Sequence, residues 1–186
     1  MLFDIGVPYR SIKNHLYGVR YIFITHRHAD HFKQSTYDAI RRDFPRIKFI
    51  GNYSLYPRID LDYIAGDETR IDLRGRLVQC FACDHDVPCS GYAIELKDGT
   101  KMIYATDTAT LDNAPRWLYD YFFVESNHDE SKINAVMGNG RKYYGYDVWM
   151  SAKRHLSTQK AKAFYYMQRK SKESKWIELH KSSRFY

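Results

Sequence analysis

Apolar runs separated by polar segments predict a chain rich in buried strands. Tyr21-Ile22-Phe23-Ile24 and Tyr121-Phe122-Phe123-Val124 are aromatic and β-branched, which is typical of strands covered on both faces. Asp98-Gly99 predicts a hairpin turn between two further strands. The pattern places the remaining strands at 2–6, 47–50, 71–73, 77–83, 101–108 and 175–180.

Helical periodicity is confined to three stretches between these strands. Tyr37, Ile40 and Phe44 recur at helical spacing and predict a helix over 35–44, which Pro45 ends. Ser157 is a good N-cap for a last helix that continues through Gln168. A short helix is predicted over 11–17, one helical turn and a short strand within 53–67, and a loop bordering a cleft over 134–146.

The polar stretch that follows the first buried strand is dense in metal ligands. It reads Thr25-His26-Arg27-His28-Ala29-Asp30-His31. Residues i and i+2 of an extended segment project to the same side, so His26 and His28 can bind one ion. After a turn, Asp30 and His31 face a second point nearby. Imidazole with carboxylate suits Zn²⁺, and Mn²⁺ or Fe²⁺ also fits.

Composition narrows the class of protein. The 186 residues suggest one domain, without a membrane-length apolar run or a signal peptide, and predict a cytoplasmic protein. Three cysteines are too few for a disulfide framework and are interpreted as buried strand thiols. The net charge of +7 favours a polyanionic partner such as nucleic acid.

The metal-binding stretch resembles the signature of the metallo-β-lactamase-fold hydrolases, which are mostly two-zinc enzymes. The resemblance implies an α/β fold, an αββα sandwich of two mixed sheets flanked by helices, in a single domain over 1–186. Asp4-x-Gly6 is similar to an early element whose Asp orients the metal loop. Family members usually carry a β-hairpin before this strand, whereas this chain starts at Met1. We therefore expect an uncovered sheet edge and a homodimer.

The order of the later motifs extends the resemblance over nearly the whole chain. It implies that His26, His28 and His85 bind one metal ion, that Asp30, His31 and His180 bind a second, and that Asp107 bridges the two. Glu125 resembles a residue of the small nuclease-like members that supports the metal ligands without binding the metal. His155-Leu156-Ser157 is similar to an element of tRNase Z-like phosphodiesterases. The resemblance implies that His155 acts in catalysis or holds phosphate, together with Asp30, which orients the attacking water.

These motifs favour phosphodiester hydrolysis over β-lactamase or glyoxalase chemistry. The expected substrate is nucleic acid, which makes the protein nuclease-like. The alternative is a cyclic nucleotide, because some tRNase Z-like members carried by phages open cyclic mononucleotides. A short chain rich in Tyr and Lys resembles phage proteins, which would place it in the host cytoplasm. A module that binds nucleic acid with metal but has lost catalysis is the non-enzyme alternative.

Overall fold

Two β-sheets pack face to face in the computed structural model, which describes residues 1–138 and 148–186. In the smaller sheet the order is β1-β2-β3-β4, and all neighbouring strands are parallel. In the larger sheet the order is β10-β9-β8-β7-β6-β5. The strands are β1 (Leu2–Phe3), β2 (Tyr21–Ile24), β3 (Lys48–Asn52), β4 (Tyr63–Ala65), β5 (Arg70–Asp72), β6 (Leu77–Cys83), β7 (Cys89–Glu95), β8 (Lys101–Ala105), β9 (Tyr121–Glu125) and β10 (Lys175–Leu179).

Helices cover the two outer faces, which makes four layers. They are α1 (Tyr9–Ile12), α2 (Gln34–Asp43), α3 (Glu130–Gly138), α4 (Val148–Ala152) and α5 (Thr158–Gln168). One core joins α1 and α2 to the smaller sheet, for example Ile40 against Phe49. A second core lies between the sheets around Phe23 and Tyr92, and a third places Phe164 of α5 on the larger sheet. Apolar side chains on both faces of each sheet explain why the strands read as continuous apolar runs.

Strand direction brings the candidate ligands together. In the larger sheet β8, β9 and β10 are parallel to one another. The strand β7 is antiparallel to both β6 and β8, so β6 has the same direction as β8. The carboxyl ends of these strands therefore share one edge, where His85, Asp107 and His180 follow β6, β8 and β10. The metal loop 25–31 follows the carboxyl end of β2 in the other sheet. Loops at these ends are where α/β folds bind ligands.

Most predicted elements are present, with ends shifted by at most three residues, but the helix predicted over 11–17 begins and ends earlier, as α1 and a 3₁₀ turn at Lys13–His15. The segment predicted as a loop over 134–146 differs, because α3 covers its start, and 139–146 lies outside the described residues. The Asp129 carboxylate accepts a hydrogen bond from the Ser131 amide at 2.7 Å and caps α3. Ile133 is buried against Phe185. That contact joins distant parts of the chain, so local periodicity did not reveal this helix.

The predicted fold class needs one refinement, because only the larger sheet is mixed and the smaller one is parallel throughout. β1 lies at the edge of the smaller sheet and is half-buried. A homodimer through this edge stays a prediction, which light scattering at micromolar concentration would contradict by showing a monomer.

Within the described residues no helix has the length and apolar character needed to cross a lipid bilayer.

Candidate metal centre

Three histidines form the first group of candidate ligands. One side-chain nitrogen each from His26, His28 and His85 lies within 4.8 Å of the other two. The closest pair is His28 Nδ1 and His85 Nε2, 3.2 Å apart. His26 is fully buried, whereas 38% of the His28 side chain is exposed, so the group opens on the side of His28. This matches the group that the spacing of His26 and His28 predicts, with His85 added from the β6–β7 connection.

A second group lies beside the first and shares a carboxylate with it. Ligand atoms of Asp30, His31 and His180 lie within 4.8 Å of one another. Asp107 Oδ2 is 2.7 Å from His31 Nε2 and 3.9 Å from His26 Nε2. Its Oδ1 is 3.4 Å from His180 Nε2. The structure therefore brings all seven predicted ligands into one cluster, with the buried Asp107 carboxylate between the two groups.

Hydrogen bonds from outside the cluster orient two of these imidazoles. Asp4 Oδ2 is 2.8 Å from His31 Nδ1. A carboxylate only accepts, so Nδ1 donates to Asp4 and leaves Nε2 facing Asp107. The Thr25 hydroxyl donates to Asp4 and therefore accepts from His26 Nδ1 at 3.0 Å. His26 Nε2 is buried and has no hydrogen-bond partner, whereas His31 Nε2 lies 2.7 Å from Asp107 Oδ2. Ligand atoms of His26, His31 and Asp107 lie within 4.8 Å of one another in buried surroundings, which fits a divalent metal ion.

The pKa values of the cluster also suit a cation. Burial and the neighbouring His31 lower the pKa of His26 to about 3, and burial lowers that of His85. Both imidazoles are therefore neutral at pH 7, as metal ligands must be. Burial opposes a charge on His31, but hydrogen bonds to Asp107 and Asp4 raise its pKa to about 10. The two carboxylates thus hold a positive charge at the point where the second ion would bind.

Glu125 connects His155 to the cluster. It is fully buried at the end of β9, and its Oε1 is 2.6 Å from His155 Nδ1 and 3.0 Å from His180 Nδ1. The amides of Thr108 and Leu156 donate to its Oε2. Burial raises the pKa of a carboxyl group, but the two histidines lower that of Glu125 below its usual value. Glu125 therefore fixes both rings and leaves Nε2 of His155 as the atom that can exchange a proton.

The cluster adopts backbone conformations that favour glycine. Asp4, Asp107 and His180 have φ values of 56°, 50° and 51°. Left-handed backbone is costly for residues with a Cβ and is often found at functional sites. Gly6 passes so close to Asp30 that a Cβ on Gly6 would overlap the Asp30 carbonyl. This contact explains the glycine in Asp4-x-Gly6, because it lets β1 lie against the metal loop.

The sequence interpretation missed several residues of the site. The Tyr104 hydroxyl donates to Asp4 Oδ2 at 3.3 Å, and the role of Thr25 was also not predicted. Asp86 Oδ1 lies 3.2 Å from His85 Nε2 and 3.5 Å from His28 Nε2. Its place directly after His85 was the available signal. His128, three positions after Glu125, is only 6% exposed.

Replacing the Thr25 hydroxyl tests the hydrogen bonds that orient His26. We expect Thr25→Val to weaken metal binding by about 10-fold to 100-fold, the usual cost of losing an outer partner of a metal-bound histidine. Titration against a fluorescent chelator measures the change. Thr69→Val, which removes a hydroxyl bonded to the Gly66 amide far from the cluster, is the matched control. Equal metal affinity in the two variants would contradict the role of Thr25.

Comparison with known proteins identifies the fold. No protein-family model matches the sequence, and no curated protein matches it. Human tRNase Z, short form, is similar in structure, with a TM-score of 0.65 and 18% identity over 98% of this chain and 81% of that chain. The metallo-β-lactamase-fold protein YhfI of Bacillus subtilis also has a TM-score of 0.65, with 13% identity over 96% of this chain and 72% of that chain.

A diphosphatase from the PhnP family is similar at a TM-score of 0.62, with 15% identity over 98% of this chain and 69% of that chain. Likeness at such low identity defines the fold. The protein therefore has the metallo-β-lactamase fold, and the αββα architecture predicted from the sequence is confirmed.

Proposed function

We propose that the protein is a dinuclear metal hydrolase that cleaves phosphodiester bonds in nucleic acid. The observation that carries this proposal is the position of Asp107, whose Oδ2 lies 3.9 Å from His26 Nε2 in the first group and 2.7 Å from His31 Nε2 in the second. His26, His28 and His85 would hold one divalent ion, and Asp30, His31 and His180 the other. Zn²⁺ suits this donor set, and Mn²⁺ or Fe²⁺ also fits.

The chemistry divides between the ions and the protein. Two adjacent ions lower the pKa of water and stabilise negative oxygens in a displacement at phosphorus. Asp30 is the exposed member of the cluster, with 66% of its side chain accessible, and can accept a hydrogen bond from the attacking water. His155, held at Nδ1 by Glu125, can give a proton from Nε2 to the leaving oxygen. Glu125 keeps His155 in the orientation that this transfer needs.

Three observations favour a phosphodiester over other substrates of this fold. The neighbours include human tRNase Z and a diphosphatase, both named for phosphorus chemistry. The net charge of +7 attracts polyanions. The rings of His155 and His180 lie side by side, with centroids 5.0 Å apart. At this position a histidine can act as a cation or proton donor toward a phosphate oxygen.

Metal analysis combined with hydrolysis of bis-p-nitrophenyl phosphate tests this function. We expect more than one equivalent of Zn, Mn or Fe per chain and metal-dependent release of p-nitrophenol. Bound metal without hydrolysis would support the inactive binding module instead. A fully active protein that contains no metal would overturn the proposal.

His155 separates catalysis from metal binding. His155 Nδ1 is closer to Glu125 Oε1, at 2.6 Å, than to Asp107 Oδ1, at 3.3 Å, so we expect His155→Ala to lower turnover by about 100-fold or more while both metals remain bound. Turnover and elemental analysis on the same preparation measure both properties. His15→Ala, at an exposed histidine, is the control. Loss of one metal together with activity would show that His155 is a ligand.

One observation favours a cyclic nucleotide as the second candidate substrate. A pocket of about 260 Å³ adjoins the centre and is lined by Trp149, Lys153, His155 and Lys160 among others. Its size suits a small ligand, its lysines suit phosphate, and an aromatic side chain suits a base. Incubation with single-stranded DNA, RNA and a panel of cyclic nucleotides distinguishes the candidates. Hydrolysis of cyclic nucleotides alone would replace the first proposal with the second.

A further inference from the structure

A basic groove lies at the end of the smaller sheet opposite the metal centre. It has a volume of about 810 Å³ and runs along the amino ends of β2, β3 and β4. The metal loop follows the carboxyl end of β2, so the length of the strand separates the two places. His26 lies five positions after Tyr21, which is about 16 Å at about 3.3 Å per residue. The groove is therefore distinct from the candidate active site.

The charges along this groove have one sign. Among the described residues no carboxylate lines it. Four cationic side chains do, namely Arg20, Arg46, Lys48 and Arg74. Lys48 is paired with Asp62 at 2.7 Å, so its charge is largely compensated. Within residues 1–138 and 148–186, no hydrogen bond or ion pair occupies the guanidinium groups of the three arginines. All three side chains are exposed.

The backbone under these cations is held in place. The Lys48 amide donates to the Arg20 carbonyl at 2.9 Å, which aligns the starts of β2 and β3. Arg74 lies in a turn at φ 57°, and the Asp72 carboxylate binds the next amide, that of Gly75, at 2.7 Å. The Asp72 carboxylate is thereby engaged with backbone. The three arginines are thus presented on fixed elements rather than on a loose tail.

We propose that this groove binds the phosphodiester backbone of a nucleic-acid strand at a distance from the metal centre. A guanidinium matches the geometry of phosphate oxygens and binds them in bidentate fashion. Tyr63, half-buried in the groove, offers a ring on which a base can stack. A lipid surface fits less well, because only Val19 and Pro45 supply aliphatic side chains to the lining.

The groove would extend substrate recognition beyond the scissile bond. A strand must be several nucleotides long to lie in the groove and reach the metal centre, whereas a mononucleotide cannot do both. The groove therefore favours polymeric substrates and adds affinity that is insensitive to base sequence. This link to catalysis rests on the proposed function, but binding of nucleic acid in the groove does not.

Fluorescence anisotropy of metal-free protein with a labelled single-stranded oligonucleotide of about 20 nucleotides tests the groove. The variant Arg20→Gln/Arg46→Gln/Arg74→Gln should bind at least about 10-fold more weakly. Its slope of log Kd against log salt should fall by about 2, because each phosphate contact of a single strand contributes about 0.7. The control Arg58→Gln/Lys162→Gln/Lys172→Gln removes the same charge from exposed positions elsewhere and should retain binding.

Two results would overturn the proposal. Equal weakening in both triple variants would show that net charge, and not the groove, binds the oligonucleotide. The groove variant is also compared with wild-type protein for binding to phosphatidylserine vesicles and to polyglutamate. If it loses as much binding to either of these as to the oligonucleotide, the groove binds any polyanion. Bis-p-nitrophenyl phosphate, assayed separately with zinc-loaded wild-type protein, reports on the proposed function. If bis-p-nitrophenyl phosphate is not hydrolysed but the oligonucleotide still binds in the groove, only the proposed function is contradicted.

Discussion

Asp107→Asn should abolish binding of both metal ions and, with them, hydrolysis. The Asp107 carboxylate lies between the two groups, 3.9 Å from His26 Nε2 of the first and 2.7 Å from His31 Nε2 of the second. Its pKa is held well below the usual range, since contacts with His31 and His180 outweigh the effect of burial. An amide of the same shape removes the negative charge. We expect metal affinity and turnover each to fall by more than about 100-fold. This exceeds the usual effect of losing a residue that only hydrogen-bonds to a metal ligand.

Asparagine is the suitable replacement because Asp107 has a φ of 50°. Asparagine tolerates this left-handed backbone, whereas alanine adds strain. Elemental analysis gives the metal content, and thermal unfolding in the presence of a chelator shows whether the metal-free fold is retained. Asp112→Asn, at an exposed aspartate nearby, is the matched control. Two metals per chain and near wild-type turnover in Asp107→Asn would show that Asp107 does not bridge.

Removal of residues 180–186 should eliminate the second metal and also destabilise the protein. His180 is a candidate ligand, and the residues after it are tied to the fold rather than frayed. The Asp129 amide donates to the Phe185 carbonyl at 2.7 Å, and Phe185 is buried beside Ile133. Loss of a buried phenylalanine costs about 2 kcal/mol in burial alone. We expect a lower midpoint of thermal unfolding together with one metal ion or fewer per chain.

Two point variants separate these effects. His180→Asn suits the φ of 51° and should lose the second metal and hydrolysis without loss of metal-free stability. Phe185→Ala should lose stability and keep both metals. Stoichiometry and unfolding midpoints of the two variants and the truncated chain give the comparison. If His180→Asn retains two metals and full activity, His180 is not a ligand.

The sequence was most informative where a local pattern and its chemistry coincide. The apolar runs predicted the buried strands, because strands covered on both faces need apolar residues at successive positions. The spacing of His26 and His28 predicted a shared side, and the two rings lie 4.7 Å apart. The helix α3 was missed, because it depends on packing between Ile133 and Phe185, which are far apart in the sequence.

By itself, the sequence determined the buried strands and the stretch of candidate ligands after the first of them, and its resemblance to the metallo-β-lactamase-fold hydrolases implied the fold class and the remaining candidate ligands. Local periodicity and residue type are properties of neighbouring positions, so they can be read along the chain. Only the tertiary structure decided that Thr25, Tyr104 and Asp4 form one set of hydrogen bonds behind the metal loop. It also decided that three arginines from separate segments share a groove. Such contacts depend on strand order and direction, which bring residues from distant parts of the chain to the same end of a sheet.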